Sequence, residues 1–163
     1  MNIDSLKTRL LHVCDTVIAS QDRLTEADRA IGDGDHGVGM ARGFKAARDA
    51  LETKPASTIG DLFKTAGMAI MMKAGGASGA VFGTFFTGMA KGLTSDQLDA
   101  RGFAAALREA IAAVQARGGA GQGDKTMLDA AIPAAEAAAS ATTLEKALDA
   151  AAAAAGEGAA RTA

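Results

Sequence analysis

The apolar residues of this chain recur at intervals of three and four from its first residues onward, and that period admits helices and little else. Ile3, Leu6, Leu10, Val13 and Val17 mark one face of a first helix, as 100° of rotation per residue requires. Strand alternation and hairpin dipeptides are missing where a sheet would need them. Further helices are expected at about 38–52, 58–73, 78–92, 96–117, 125–139 and 143–155, with Ser57, Ser95, Asp124 and Thr142 or Thr143 as N-caps. Pro55 falls in a linker, and Pro133 falls inside a helix, where a kink is the cheap outcome. The alanine run after Leu148 reads as a weakly specified amphipathic helix rather than disorder, because alanine is the best helix former. Short connections favour antiparallel neighbours. The expectation is an all-α, up-and-down helical bundle, one domain over residues 1–163.

Between two of these helical segments lies Ile31-Gly32-Asp33-Gly34-Asp35-His36-Gly37, preceded by Asp28. Asp28, Asp33 and Asp35 can converge only if the backbone turns sharply, which Gly32, Gly34 and Gly37 permit. Three converging carboxylates suit a hard cation. Mg²⁺ fits best, because it commonly takes few carboxylates and completes its octahedron with water and substrate phosphates. The spacing Gly32-x-Gly34-x-x-Gly37 also satisfies the dinucleotide fingerprint, with Glu52 placed as its ribose-binding acid. That fingerprint must leave a strand, whereas Arg23 to Ala30 is charged and helix-like, and Asp33 and Asp35 would repel a bare pyrophosphate. A calcium loop fails because its twelfth position, counted from Asp33, is Phe44 instead of a bidentate Glu. A solvated acidic turn capping the next helix is the plain alternative.

A second glycine block, Gly75-Gly76-Ala77-Ser78-Gly79, offers backbone N–H groups, a hydroxyl and the start of a helix, all attractive to phosphate. The same small residues also suit close helix packing. Phe82, Phe85 and Phe86, on the helix that follows, read as core. Gly123-Asp124-Lys125-Thr126 is not a P-loop, since its lysine follows Asp124 and no strand leads into it. Met127 is a flexible thioether that could pack on adenine, but a methionine in a helix is more often core filler. His12 has no motif around it.

Taken in order, Leu24-Thr25, Asp28, Ile31 to Gly37, Met40 to Phe44, Gly75 to Gly79, Phe82 to Phe86 and Gly123 to Met127 resemble the nucleotide-binding L subunits (DhaL) of dihydroxyacetone kinases across nearly the whole chain. The resemblance implies an antiparallel helical barrel with a nucleotide site at one end, built from inter-helix loops. It makes Asp28, Asp33 and Asp35 the ligands of two Mg²⁺ ions. It places His36, Gly37, Val38, Gly39, Ala77, Ser78, Gly118 and Met127 around ADP or ATP. Gly39 departs from the asparagine of many relatives, so a backbone contact is expected there without a side-chain one. The implied reaction is phosphoryl transfer to dihydroxyacetone held on a separate K subunit, which needs positioning and charge neutralisation more than protein nucleophiles. Either ATP is exchanged each turnover, or bound ADP is rephosphorylated by a phosphotransferase-system protein. A nucleotide-binding regulatory module, and a kinase subunit for another ketose such as erythrulose, are the alternatives.

Net charge −2 with 22% charged residues gives no basic stripe for nucleic acid. Cys14 sits beside Leu10 and Val17 on the apolar stripe and reads as a buried small hydrophobe. Lys7, Arg9 and Asp15 interrupt the first helix, so neither a leader nor a membrane span is expected, and the cytoplasm is the default location. Relatives continue past the point matching Gly156 with a further helix and an Asp-Pro-Gly-Ala loop, where this sequence reads Glu157 to Ala163. The resemblance therefore implies a barrel short of its closing helix, with an apolar flank on the first and penultimate helices. Such a flank favours self-association as a homodimer or a covering partner.

Overall fold

The computed structural model describes residues 1–30 and 32–162; Ile31 and Ala163 lie outside the described residues. Eight helices are formed among the described residues: α1 (Ile3–Ala19), α2 (Gln21–Arg29), α3 (His36–Thr53), α4 (Ile59–Lys73), α5 (Gly76–Met89), α6 (Ala100–Gly118), α7 (Leu128–Ala139) and α8 (Leu144–Ala160). They pack in a row in which α1 lies on α3, and each helix from α3 to α7 lies on the next, while the short α2 rests on α3. This is the up-and-down order expected of helices joined by short connections. Among the described residues α1 and α8, the two ends of the row, do not pack on each other.

The core runs along the row. Leu51, Ile59, Leu62, Ile70 and Leu128 are its largest fully buried side chains. Phe86 meets Phe44 edge-on at 5.8 Å and also lies beside Phe63 and Phe85. The α5 phenylalanines thus pack against the core, as their helical spacing suggests. On α1 the buried stripe is Leu6, Leu10 and Cys14, and Val13, expected on that face, is 41% exposed. The contact of α1 with α3 covers a face narrower than the apolar stripe.

Helix starts differ from expectation where side chains compete for the first amides. Thr58, not Ser57, caps α4, because Asp61 three residues on accepts from the Thr58 N–H while Thr58 Oγ1 accepts from Asp61, a reciprocal capping box. Asp99 rather than Ser95 caps α6, since Ser95 Oγ is taken by the Gln97 N–H and Gln97 bridges to Asn2. Asp124 does not cap α7; its Oδ2 accepts from Gly121 within the preceding loop. Thr143 caps α8. Pro133 lies inside α7, where it removes the donor that would reach the Asp129 carbonyl. Gly158 of α8 packs directly on that carbonyl, in space a Cβ would fill.

Candidate functional site

Asp28 lies in the last turn of α2, and Asp35 immediately precedes α3. Between them the chain reverses, with Gly34 at φ 77°, a conformation that glycine adopts without steric cost. The Asp28 carboxylate holds this turn. Its Oδ2 accepts from the N–H of Gly34 at 2.8 Å and from that of His36 at 3.3 Å, while Asp33 Oδ1 accepts from Asp35 at 3.3 Å. As a result Asp28, Asp33 and Asp35 each present an oxygen within 4.8 Å of the others, Asp28 half-buried and the other two exposed. Among the described residues no Lys or Arg is ion-paired with any of the three. The donor set, all oxygen and formally triply negative, fits Mg²⁺.

The carboxylates face the turn between α4 and α5. A cleft of about 230 Å³ is lined by Asp28, Asp35, His36, Gly39 and Arg42 from one side and by Ala74 to Ser78 from the other. His36 Nδ1 and Ser78 Oγ lie 2.9 Å apart and tie the two sides together. Gly75 and Gly76 have φ of 80° and 58°. Their left-handed backbone ends α4 and starts α5 within two residues, so the first amides of α5 open on the cleft. The block is open at one position and closely packed at another. Nothing lies within 4 Å of a Cβ built on Gly76, whereas one on Gly79 would press the Ala74 side chain at 3.2 Å.

The sequence candidates divide accordingly. Asp28, Asp35, His36, Gly39, Ala77 and Ser78 line the cleft, and Asp33 joins them through the carboxylate cluster. Gly37 is buried against the α2 backbone, where a Cβ would overlap the Gln21 carbonyl and Thr25 Oγ1. Val38 points outward, 47% exposed. Gly118 is exposed at the end of α6 and Met127 half-buried before α7; neither lines the cleft.

Two residues escaped sequence reasoning. Arg42 of α3 donates from Nε to the Lys73 carbonyl at 2.6 Å and from Nη2 to the Ala74 carbonyl at 2.7 Å. Asp129, 8% exposed, accepts from Gly123 at 2.5 Å and Thr126 at 2.9 Å. It thereby shapes the loop between Gly118 and Met127. Those amides, Thr126 first, hold its carboxyl below the usual carboxylate range against the opposing effect of burial.

The fold is thus an all-helical array in which an acidic inter-helix loop faces a glycine turn. The chain belongs to the DAK2 domain family, whose model matches residues 30–163; Asp28 lies just outside that match. It is 41% identical over 114 residues to the ADP-binding subunit DhaL of PEP-dependent dihydroxyacetone kinase 1 from Listeria innocua, covering 70% of this chain and 58% of that protein. It is 38% identical over 125 residues to the corresponding Escherichia coli subunit, covering 76% of this chain and 60% of that one. A D-erythrulose kinase of Mycolicibacterium smegmatis is 39% identical over 120 residues, 72% of this chain and 21% of that enzyme. The crystal structure of the dihydroxyacetone kinase from C. freundii in complex with AMP-PNP and Mg²⁺ superposes with a TM-score of 0.82 at 30% identity, over 97% of this chain and 29% of that one. The chain thus spans little more than half the length of the DhaL subunits it matches. No helix among the described residues is long and apolar enough to cross a membrane.

Proposed function

We propose that this chain is the nucleotide- and Mg²⁺-binding part of a ketose kinase, presenting a phosphoryl group to dihydroxyacetone held by a separate subunit. The observation that carries the reading is the facing of two elements across one cleft: Asp28 and Asp35, clustered with Asp33, on one wall and the N-terminus of α5 on the other. Asp28, Asp33 and Asp35 would hold two Mg²⁺ ions, which supply charge neutralisation for a polyphosphate. Residues 76–78 would donate backbone N–H groups to phosphate oxygens. His36 and Ser78, already in contact, would keep the two walls at a fixed separation. Gly118, Met127 and the outward-facing Val38 would take the nucleoside end, beyond the cleft itself.

No histidine or nucleophile of this chain is assigned to the ketose, so activity would require the partner that binds it. The names of the bacterial relatives, PEP-dependent and PTS-dependent, support bound ADP recharged by a phosphotransferase-system protein over exchange of ATP. The likeness to erythrulose kinases supports leaving the choice of ketose to the partner. Titration calorimetry of ADP with Mg²⁺ or with EDTA tests the site. Asp33→Asn should weaken Mg²⁺-dependent binding by at least about tenfold, some 1.4 kcal/mol, and EDTA should abolish the difference. Equal affinity of wild type and variant in Mg²⁺ would remove the assignment.

A further inference from the structure

The cleft has an electrostatic defect that one residue corrects. Helix α4 ends at it, and the last carbonyls of a helix are unpaired and carry the negative end of its dipole. A polyphosphate entering between Asp35 and Gly76 therefore meets this end of α4 at Ala74 as well as the helpful amides of α5. Arg42 covers the Lys73 and Ala74 carbonyls, with bonds of 2.6 and 2.7 Å. These bonds occupy two of the five N–H donors that a guanidinium carries. Arg42 is exposed and is the one Lys or Arg among the residues lining the cleft. Its Nη2 would stand 3.0 Å from a Cβ on Gly75, so the cation sits directly on the turn.

We propose that Arg42 is a polyphosphate-binding residue with two roles: it neutralises the end of α4, fixing the Gly75-Gly76 turn, and it offers its remaining donors to the nucleotide phosphates. The inference rests on the reading of this cleft as the nucleotide site. Lysine cannot replace it, because a single ammonium lacks the planar fork that spans two adjacent carbonyls and still faces a phosphate.

The test compares wild type, Arg42→Lys, Arg42→Ala and Asp33→Asn by ADP calorimetry in Mg²⁺, with Mn²⁺ binding in the absence of nucleotide and thermal melting measured alongside. Arg42→Lys and Arg42→Ala should each lose about tenfold or more in ADP affinity while retaining Mn²⁺ affinity, and added guanidinium should partly restore ADP binding to Arg42→Ala. A loss confined to melting temperature, with ADP affinity unchanged in the lysine variant, would overturn the binding role and leave a helix cap. If Asp33→Asn alone weakens ADP binding, this inference fails and the function stands. If no variant does, the function itself falls.

Discussion

Replacing Gly37 by alanine sets helix propensity against packing, and the structure decides which wins. Alanine in a helix interior is favoured over glycine by about 1 kcal/mol; Gly37 is the second residue of α3, so that figure is the most the substitution can gain. A Cβ at position 37, however, would overlap the Gln21 carbonyl and Thr25 Oγ1 and lie 2.7 Å from the Thr25 nitrogen. Ordinary contact needs about 3.4 Å or more, and the Gln21 carbonyl is the nearest obstacle, so α2 must retreat from α3 by roughly 1.3 Å, and backbone cannot rotate out of the way as a side chain would. Overpacking of this kind costs about 1–3 kcal/mol. Because the obstacle is backbone on two residues, the upper half of that range applies, and the net loss is about 1–2 kcal/mol. At this chain length, 1 kcal/mol shifts the midpoint by about 2–4 °C, so Gly37→Ala should melt about 2–8 °C below wild type. Helix α2 also carries Asp28, so the retreat should weaken Mg²⁺-dependent ADP binding as well. The control is Gly156→Ala in α8, where nothing lies within 4 Å of the new Cβ and propensity acts alone, raising the midpoint by about 2–4 °C. Calorimetric melting of the three proteins side by side measures both shifts. A Gly37→Ala midpoint at or above that of wild type would show that α2 is not held against α3 as described.

Two further outcomes follow from titrating groups. Asp129 has a depressed pKa in the folded state, so its contribution to stability is complete above the unfolded value near 3.9 and is lost as pH falls through the lower folded value. Wild type should therefore lose stability more steeply than Asp129→Asn on acidification below about pH 4, and identical slopes in pH-dependent urea melts would dismiss the carboxylate as the loop's anchor. The Cys14 thiol is pushed up to about 11, by burial first and the neighbouring Asp15 second. It should resist alkylation at about pH 8 in the folded protein and react at the ordinary rate in denaturant, whereas rapid labelling of the native chain would mean that α1 opens from α3.

The helices were legible because their signal is redundant. Each carries several apolar residues at helical spacing, and losing one, as with Val13, leaves the period intact. Their starts were less so, because an N-terminus is decided by which side chain reaches the first free amides. Thr58 prevails over Ser57 only through Asp61, three residues on. α5 begins at Gly76 because the two glycines before Ala77 adopt positive φ, which composition permits but does not require. At the site, the convergence of the three aspartates was legible, because the glycines between them permit the sharp turn that brings their oxygens within 4.8 Å of one another. Arg42 was not, since an arginine on an exposed helical position reads as solvated. Only the three-dimensional approach of α3 to the end of α4 gives it a task.

The least visible device is one the chain uses twice. Asp28 accepts from the N–H of Gly34, six residues later, and Asp129 accepts from that of Gly123, six residues earlier. Both glycines have positive φ, 77° and 95°. In each case a carboxylate on a helix fixes the reversal of the adjoining loop, before that helix in one case and after it in the other. A sequence signal exists, an aspartate in a helical end six residues from a glycine in a polar turn, but it has meaning only once the helix boundary is known. The two carboxylates then differ in what surrounds them. Asp129 is buried among backbone donors and lies outside the three-carboxylate cluster. Asp28 spends Oδ2 on the turn and remains part of the three-carboxylate cluster, so neutralising it removes negative charge and loosens the loop that carries Asp33 and Asp35. For that reason Asp33, which shapes its own loop through a single long hydrogen bond, is the position at which a carboxylate charge of the cluster can be removed with least disturbance of the turn.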